Sequence, residues 1–242
     1  MKTVVIFHGF PEALSKNKSP IFSYFQKNKY QIIMPDLLSK EHVFTIDEII
    51  KDIRLALKRE QLNVVVGISM GGLLAPHLAK QFPESKLILI GTAPYFKTNI
   101  PIYNFLVHLE VHDKKLLLVR LLRLTPRWLF RFVYKFFNKS DTLTNQDYQS
   151  RADENYNGAF RVPTNKIREV LELVTKTNNS KVLQEISNKT IIFAGGSDSM
   201  MPAQLSGEMN SLIKNSKLII SNRLHYDVFT KADDHYLDEF LN

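Results

Sequence analysis

The chain contains no cysteine among its 242 residues. Disulfide scaffolds and thiolate metal sites are therefore excluded, while the absence by itself is neutral about the cellular compartment. Long apolar runs are also lacking, because no stretch approaches the roughly 18 residues that a membrane span requires. The start of the chain, residues 1–8, runs directly into a short strand and has too brief an apolar segment for a signal peptide. We therefore expect a soluble cytoplasmic protein.

Hydrophobic residues make up 44% of the sequence, which is enough for one sizeable core. Short apolar runs alternate with helix-like segments, and this alternation predicts an α/β protein with a parallel sheet buried on both faces. The run at 31–34 is predicted at the edge of about six strands. Strands are expected at 3–7, 31–34, 63–66, 86–90, 190–194 and 217–220, and helices near 20–28, 46–59, 71–82, 203–214 and 232–241.

The segment Gly67-Ile68-Ser69-Met70-Gly71 follows one of these strands and precedes a helix-like segment. A serine on a tight strand-to-helix turn needs glycine on both sides, because side chains there would collide with the neighbouring backbone. The motif on its own is weak, since a glycine-rich turn explains it equally well. Its context favours a nucleophile elbow with Ser69 as the nucleophile.

Three further features lie at the ends of predicted strands. His8-Gly9-Phe10-Pro11 could supply the Phe10 N–H as an oxyanion donor beside the N–H of Met70. Asp198, in a glycine-rich loop, could hold the imidazole of His225 in the tautomer that a base needs. Each feature also has a structural explanation, as a turn, a solvated aspartate or an incidental histidine.

Taken together, these motifs resemble the α/β-hydrolase superfamily, and the resemblance covers the whole chain. It implies a carboxylesterase-like serine hydrolase in which Ser69 is the nucleophile, His225 the general base and Asp198 the orienting acid. The oxyanion hole would come from the backbone of Phe10 and Met70, and the reaction needs neither a metal nor an organic cofactor. The His8 loop also looks like that of epoxide hydrolases and haloalkane dehalogenases, but those families carry aspartate where this chain has Ser69.

Two assignments remain open at this stage. Asp227, Asp233 and Asp234 could replace Asp198 as the acid, and His235 is a second late histidine. We favour Asp198 and His225 because strand-end loops carry catalytic residues more often than helix interiors do.

The strand rhythm stops after residue 94 and resumes at residue 190. The interval is helix-like and lies where the superfamily inserts a lid. We therefore predict a core formed by residues 1–94 and 190–242, with a helical lid formed by residues 95–189.

Basic residues are concentrated in this predicted lid. The interval 113–139 holds eight Lys or Arg against one Asp, a net +7 within a chain of net +8. Thr125-Pro126 predicts a break between two helices, with Thr125 as N-cap. Arg120 and Arg123 share a face of the first helix. The second carries a stripe at Arg127, Arg131, Lys135 and Lys139 beside apolar residues that include Trp128.

Arg123, Arg127, Arg131 and Trp128 are accordingly candidates for binding a substrate or a partner. The partner could be an acidic carrier protein or an anionic membrane surface, or the helices could cover an apolar channel. A solvated charged face whose apolar side packs on the core is an equally simple explanation. No nucleic-acid motif is present, so specific nucleic-acid binding is not expected.

The preferred function is hydrolysis of a carboxylic ester or thioester through an acyl-enzyme. The alternatives are a ligand- or partner-binding protein with little turnover, and a non-hydrolytic lyase or acyltransferase that uses the same residues.

Overall fold

The computed structural model describes residues 1–10, 19–38, 44–57, 61–113, 115–137 and 144–242. Pro11, Lys114 and Lys139 lie outside the described residues, as does the predicted helix end at residue 59.

Six strands form one parallel sheet in the order β2-β1-β3-β4-β5-β6. The predicted α/β class and strand number are confirmed, and β2 lies at an edge as expected. The strands are β1 (Thr3–Phe7), β2 (Gln31–Ile33), β3 (Leu62–Ile68), β4 (Lys86–Ile90), β5 (Thr190–Gly195) and β6 (Ser216–Ser221).

Helices connect the strands and form the insertion. Those of the sheet layers are α1 (Pro20–Lys27), α2 (Ile46–Leu57), α3 (Ala75–Gln81), α10 (Ala203–Leu212) and α11 (Asp234–Leu241). Between β4 and β5 lie α4 (Pro101–His112), α5 (Leu117–Leu124), α6 (Arg127–Phe137), α7 (Asn145–Arg161), α8 (Thr164–Lys176) and α9 (Ser180–Glu185).

The sheet is buried on both faces. Successive side chains of a strand point to opposite faces, so Val5 joins a cluster with residues of α2 and α3 while Val4 joins one with residues of α1 and α11. Both side chains are fully buried. Burial of one valine or leucine contributes about 1.5–3 kcal/mol, so the two apolar layers supply much of the driving force for folding.

The predicted helix at 71–82 begins differently from the expectation. Residues 69–73 form a 3-10 helix, and the α-helix α3 starts only at Ala75. Pro76 has no N–H to donate to the carbonyl of Gly72, so the α-helical ladder cannot pass through this point. The change of helix type leaves Ser69 in a sharp turn between β3 and α3.

The insertion closes at its base through an isolated antiparallel bridge between Tyr95 and Asn178. Helix α9 follows this bridge and packs against α3 and α10, with Leu183 completely buried in the main core. Helix α9, which lies within the predicted lid interval 95–189, therefore packs with the helices of the sheet layers, and the boundary at residue 189 stays a prediction.

The predicted break at Thr125-Pro126 is present, but its geometry differs. The Thr125 hydroxyl donates to the carbonyl of Leu121 at the end of α5, at 3.4 Å, instead of capping α6. The Thr125-Pro126 pair thus correctly predicted the boundary between α5 and α6. Its hydroxyl, however, bonds to α5 and not to α6.

Candidate functional site

Two glycines bring the turn after β3 into contact with its neighbours. A Cβ on Gly67 would lie 2.7 Å from the Cα of Gly72, and one on Gly71 would lie 2.2 Å from the carbonyl oxygen of Phe7. Both distances are too short for any side chain to be accommodated without backbone movement. The Gly-x-Ser-x-Gly spacing is thus a packing requirement, and it presses the turn against the end of β1.

Ser69 lies at the apex of this turn. Its φ of +50° is in the left-handed region, which costs a non-glycine residue about 1–3 kcal/mol and persists only where the surroundings hold it. The strained conformation directs the side chain across the carboxyl ends of the strands, where Oγ lies 3.0 Å from Nε2 of His225.

His225 and Asp198 continue this line of contacts. Nδ1 of His225 lies 2.7 Å from Oδ2 of Asp198, while the other Asp198 oxygen accepts the N–H groups of Met200 and Met201 at 2.9 and 2.8 Å. The Asp198 side chain is fully buried. Because a carboxylate only accepts, Nδ1 carries the proton in this contact and Nε2 can accept the proton of Ser69.

The competing acids have other partners. Asp227 forms an ion pair with Arg151 at 2.8 Å. Asp233 pairs with Arg223 and accepts from Thr230 in a capping box. Asp234 begins α11, and burial raises its pKa, the opposite of what an ionised orienting acid needs.

The second late histidine, His235, also lies outside this arrangement. It is exposed, and its Nδ1 bonds to the carbonyl of Ala232, in the 3-10 turn that precedes α11. The structure therefore brings together Ser69, His225 and Asp198, and places the alternatives elsewhere.

Phe10 belongs to the loop that follows β1, and Met70 follows Ser69 in the serine turn. Both side chains pack in the same apolar cluster. His8 holds the first of these loops, because its Nδ1 donates to the Gly9 carbonyl at 2.8 Å and its Nε2 accepts from Leu37 N–H at 3.2 Å. His8 therefore shapes the loop that carries Phe10.

The insertion reaches the histidine loop through polar contacts that the sequence did not reveal. Arg151 of α7 pairs with Asp227, two residues after His225. Tyr226 donates its hydroxyl to Asn155 of the same helix at 3.1 Å. These partners are separated by more than 70 residues, so no local pattern could have identified them.

The predicted basic stripe faces helix α7. Arg131 forms a two-bond ion pair with Asp153, at 2.8 and 2.6 Å, and Arg127 donates to Asn157. Lys135 donates to Asn145 at the start of α7. The alternative of a solvated charged face with its apolar side against the core does not describe this helix, because its cations contact α7 and Trp128 and Phe132 are exposed.

Of the two remaining candidate residues in this segment, Arg123 is hydrogen-bonded to another helix and Trp128 is exposed. Arg123 donates to the Thr164 hydroxyl and to the Val162 carbonyl, and so joins α5 to α8. Trp128 projects outward with 69% of its surface exposed. The structure does not bring Arg123, Arg127, Arg131 or Trp128 to Ser69 through any of these contacts.

Two kinds of feature are absent from the described residues. None of the helices there is long and apolar enough to cross a membrane. In the same ranges no group of three or more His, Asp and Glu side chains is arranged to bind a metal ion.

The parallel sheet, the strand-to-helix turn and the late histidine loop define an α/β protein of the hydrolase type. The sequence profile of the alpha/beta hydrolase fold matches residues 2–232, and the chain therefore belongs to this family. Among curated proteins, none matches the chain by sequence.

Solved structures support the same fold. A bromoperoxidase from Bacillus anthracis is similar at 19% identity and a TM-score of 0.75, with 99% of this chain and 91% of that one covered. An esterase from Exiguobacterium antarcticum matches at 17% identity and a TM-score of 0.71, covering 100% and 92%. An enol-lactonase from Burkholderia xenovorans matches at 15% identity and a TM-score of 0.75, covering 99% and 91%.

Proposed function

We propose that this protein is a serine hydrolase that cleaves a carboxylic ester or thioester through an acyl-enzyme. The observation that carries the proposal is the pair of contacts Ser69 Oγ to His225 Nε2, at 3.0 Å, and His225 Nδ1 to Asp198 Oδ2, at 2.7 Å. A nucleophile within hydrogen-bond reach of a base, with the base oriented by a third group, is the arrangement that activates a serine hydroxyl.

In the first half-reaction, Nε2 of His225 takes the Ser69 proton while Oγ attacks the acyl carbon. The carbonyl oxygen becomes an oxyanion, which accepts hydrogen bonds from the N–H groups of Phe10 and Met70. The imidazolium is stabilised by the buried Asp198 carboxylate. The C–O or C–S bond then breaks, and the Nε2 proton passes to the leaving alcohol or thiol.

In the second half-reaction, water takes the place of the leaving group. His225 removes one proton from this water, whose oxygen attacks the ester carbonyl of acylated Ser69. Collapse of the second oxyanion releases the carboxylic acid, and the proton on Nε2 returns to Oγ. Asp198 remains an anion throughout, because its second oxygen is already occupied by the two backbone N–H groups.

An ester substrate is supported by the similar solved structures, which include an esterase and an enol-lactonase. Other neighbours are named as a bromoperoxidase and a meta-cleavage product hydrolase. The contacts among Ser69, His225 and Asp198 would serve acyl transfer to water for an open-chain ester and for a lactone alike. The length of the acyl group is the quantity that the ester series below measures.

The test is covalent labelling by a fluorophosphonate, which reacts only with an activated serine. We expect wild-type protein to be labelled, and Ser69→Ala and His225→Ala to lose at least about 10³-fold in labelling rate. Ser211→Ala and His235→Ala are matched controls, because Ser211 is exposed on α10 and His235 lies in α11. Both controls should label like the wild type.

Turnover of p-nitrophenyl esters from acetate to laurate, with the matching thioesters, then defines the substrate. A maximum at one chain length would size the acyl site. Lack of labelling in a folded protein would contradict the proposal and favour a binding protein. Labelling without hydrolysis of any ester or thioester would favour transfer to an acceptor other than water, or lyase chemistry.

A further inference from the structure

Helices α5 and α6 expose the side of each helix that would normally be buried. Leu117, Leu121 and Leu124 of α5 are exposed, and so are Trp128, Phe132 and Val133 of α6. These six side chains are called the outer lid face. Leu124, Trp128 and Phe132 are 78%, 69% and 68% exposed. Amphipathic helices of soluble proteins usually turn this stripe toward the core.

The polar contacts of α6 with α7 explain why the orientation is stable. Arg131 is bound to Asp153, Arg127 to Asn157 and Lys135 to Asn145, all on α7. Rotation of α6 to bury Trp128 and Phe132 would break these contacts. The hydrogen bonds to α7 thus keep these apolar side chains exposed to solvent. A large exposed apolar surface of this kind is typical of a site that a partner or a membrane covers.

The charge around the outer lid face is positive. Lys115 and Arg120 are exposed beside its leucines, and no acidic residue occurs between residues 115 and 137. The nearest acid along the chain, Asp113, is engaged in accepting the N–H groups of Lys115 and Leu117 at the start of α5. A covering partner must therefore be both apolar and anionic at its rim.

We propose that the outer lid face binds an anionic lipid surface. Leucine, tryptophan and phenylalanine on one helix face with Lys and Arg beside it is the composition of helices that lie in a membrane interface. Apolar side chains would enter the acyl boundary, while Lys115 and Arg120 would contact lipid phosphates. A second copy of the chain fits poorly, because it would bring the same cations face to face.

A lipid surface also fits better than an acidic carrier protein. The six side chains of the outer lid face offer one polar atom, the indole N–H of Trp128, and so present few hydrogen-bonding groups that could select one protein. A fluid apolar phase needs no such pattern. The indole N–H instead suits the headgroup level of a bilayer.

Trp128 makes a direct experiment available, since it is the only tryptophan in the sequence. Its emission should shift to shorter wavelength on addition of phosphatidylcholine vesicles that contain phosphatidylglycerol, and the protein should co-sediment with them. Pure phosphatidylcholine should bind at least about tenfold more weakly, and high salt should weaken binding to the anionic vesicles. We would use Ser69→Ala protein, so that the result is independent of any hydrolytic activity.

Charged substitutions with matched controls locate the surface. Leu121→Asp should weaken vesicle binding by at least about tenfold, whereas Leu55→Asp, at an equally exposed leucine of α2, should have little effect. Arg120→Glu should weaken binding to anionic vesicles only, with Arg54→Glu on α2 as its control. Circular dichroism before lipid addition confirms that each variant is folded.

Three results would overturn the proposal. The first is no binding to either vesicle by folded protein, which would leave an acidic protein as the occupant. The second is equal loss of binding in Leu121→Asp and Leu55→Asp. The third is a shift of Trp128 emission that rises with protein concentration without lipid, accompanied by dimer formation in sedimentation, which would assign the face to a second copy.

Discussion

The core and the helical insertion differ in where they place their apolar side chains. The sheet buries its valines, leucines and isoleucines between two layers of helices, and Val5, Leu87 and Ile192 have no exposed surface. Among the described residues, the large apolar side chains that are exposed lie mostly in the insertion, at 11 of 14 positions. The core is therefore held by apolar burial, whereas burial accounts for less of the insertion.

Polar contacts take a larger share in the insertion. Buried Glu110 accepts the N–H groups of Leu118 and Val119 and so caps the start of α5. Arg131 and Asp153 join α6 to α7. Such contacts contribute less per residue than a packed core, so the insertion is expected to open locally before the core unfolds.

The substitution expected to change activity most removes the negative charge of Asp198 in the core. Asp198→Asn removes the anion that holds the His225 tautomer, and we expect ester turnover to fall by about 10³- to 10⁴-fold. Stability should change far less. The matched control is Asp153→Asn in the insertion, which should retain most activity. Comparable losses in the two variants would show that the site does not depend on Asp198 alone.

The next effect tests how tightly the core is packed at the turn. Gly71→Ala would place a methyl group 2.2 Å from the Phe7 carbonyl oxygen, and we expect the free energy of unfolding to fall by about 1–3 kcal/mol or more. Gly207→Ala on α10 is the control, because nothing lies within 4 Å of the added Cβ. It should stabilise the protein by about 0.5–1 kcal/mol through higher helix propensity. Urea unfolding measures both, and a tolerated Gly71→Ala would disprove the packing argument.

A smaller effect is expected where the two regions meet. Arg151→Gln removes the ion pair with Asp227 beside His225, and we expect kcat for a soluble ester to fall about three- to tenfold with little change in global stability. Lys176→Gln, at an exposed lysine that ends α8, is the matched change. If Arg151→Gln left kcat unchanged, the insertion would cover the site without positioning the histidine.

The smallest effect concerns the insertion alone. Arg131 holds the pKa of Asp153 below its usual value by a charged hydrogen bond. This contribution to stability is complete above the ordinary carboxyl pKa near 3.8 and is lost as the pH falls through the lowered value. A double-mutant cycle with Arg131→Ala and Asp153→Ala should give about 0.2–1 kcal/mol at pH 7.

Proteolysis of the insertion is the measurement suited to that cycle. Cleavage should be faster in the single variants than in wild type at pH 7, and the difference should narrow in acid. A coupling energy near zero at neutral pH would mean that aromatic contacts between the two helices, such as Phe130 of α6 with Tyr156 of α7, hold α6 instead.

Much of the core could be predicted from the sequence because its signals are local. Runs of β-branched and aliphatic residues between helices predicted all six strands to within two residues at each end. Glycine at positions 67 and 71 indicated a turn that tolerates no side chain, and the structure shows the close contacts that require it. Pro76 could have indicated that the α-helix starts late, but the sequence pattern predicted one helix over 71–82 instead of a 3-10 helix followed by α3.

Local signals account for the sheet, the turn at Ser69 and the residue types at the ends of the strands, because the spacing of apolar residues and backbone sterics act between near neighbours. The pairing of His225 with Asp198, and the contacts of Arg151 and Asn155 with the loop that carries His225, depend instead on how distant segments pack. The tertiary fold also determines that the cations of α6 contact α7 while Trp128 is exposed. The physical reason is that a helical period defines two faces, but which one is buried depends on the partners that distant helices such as α7 provide.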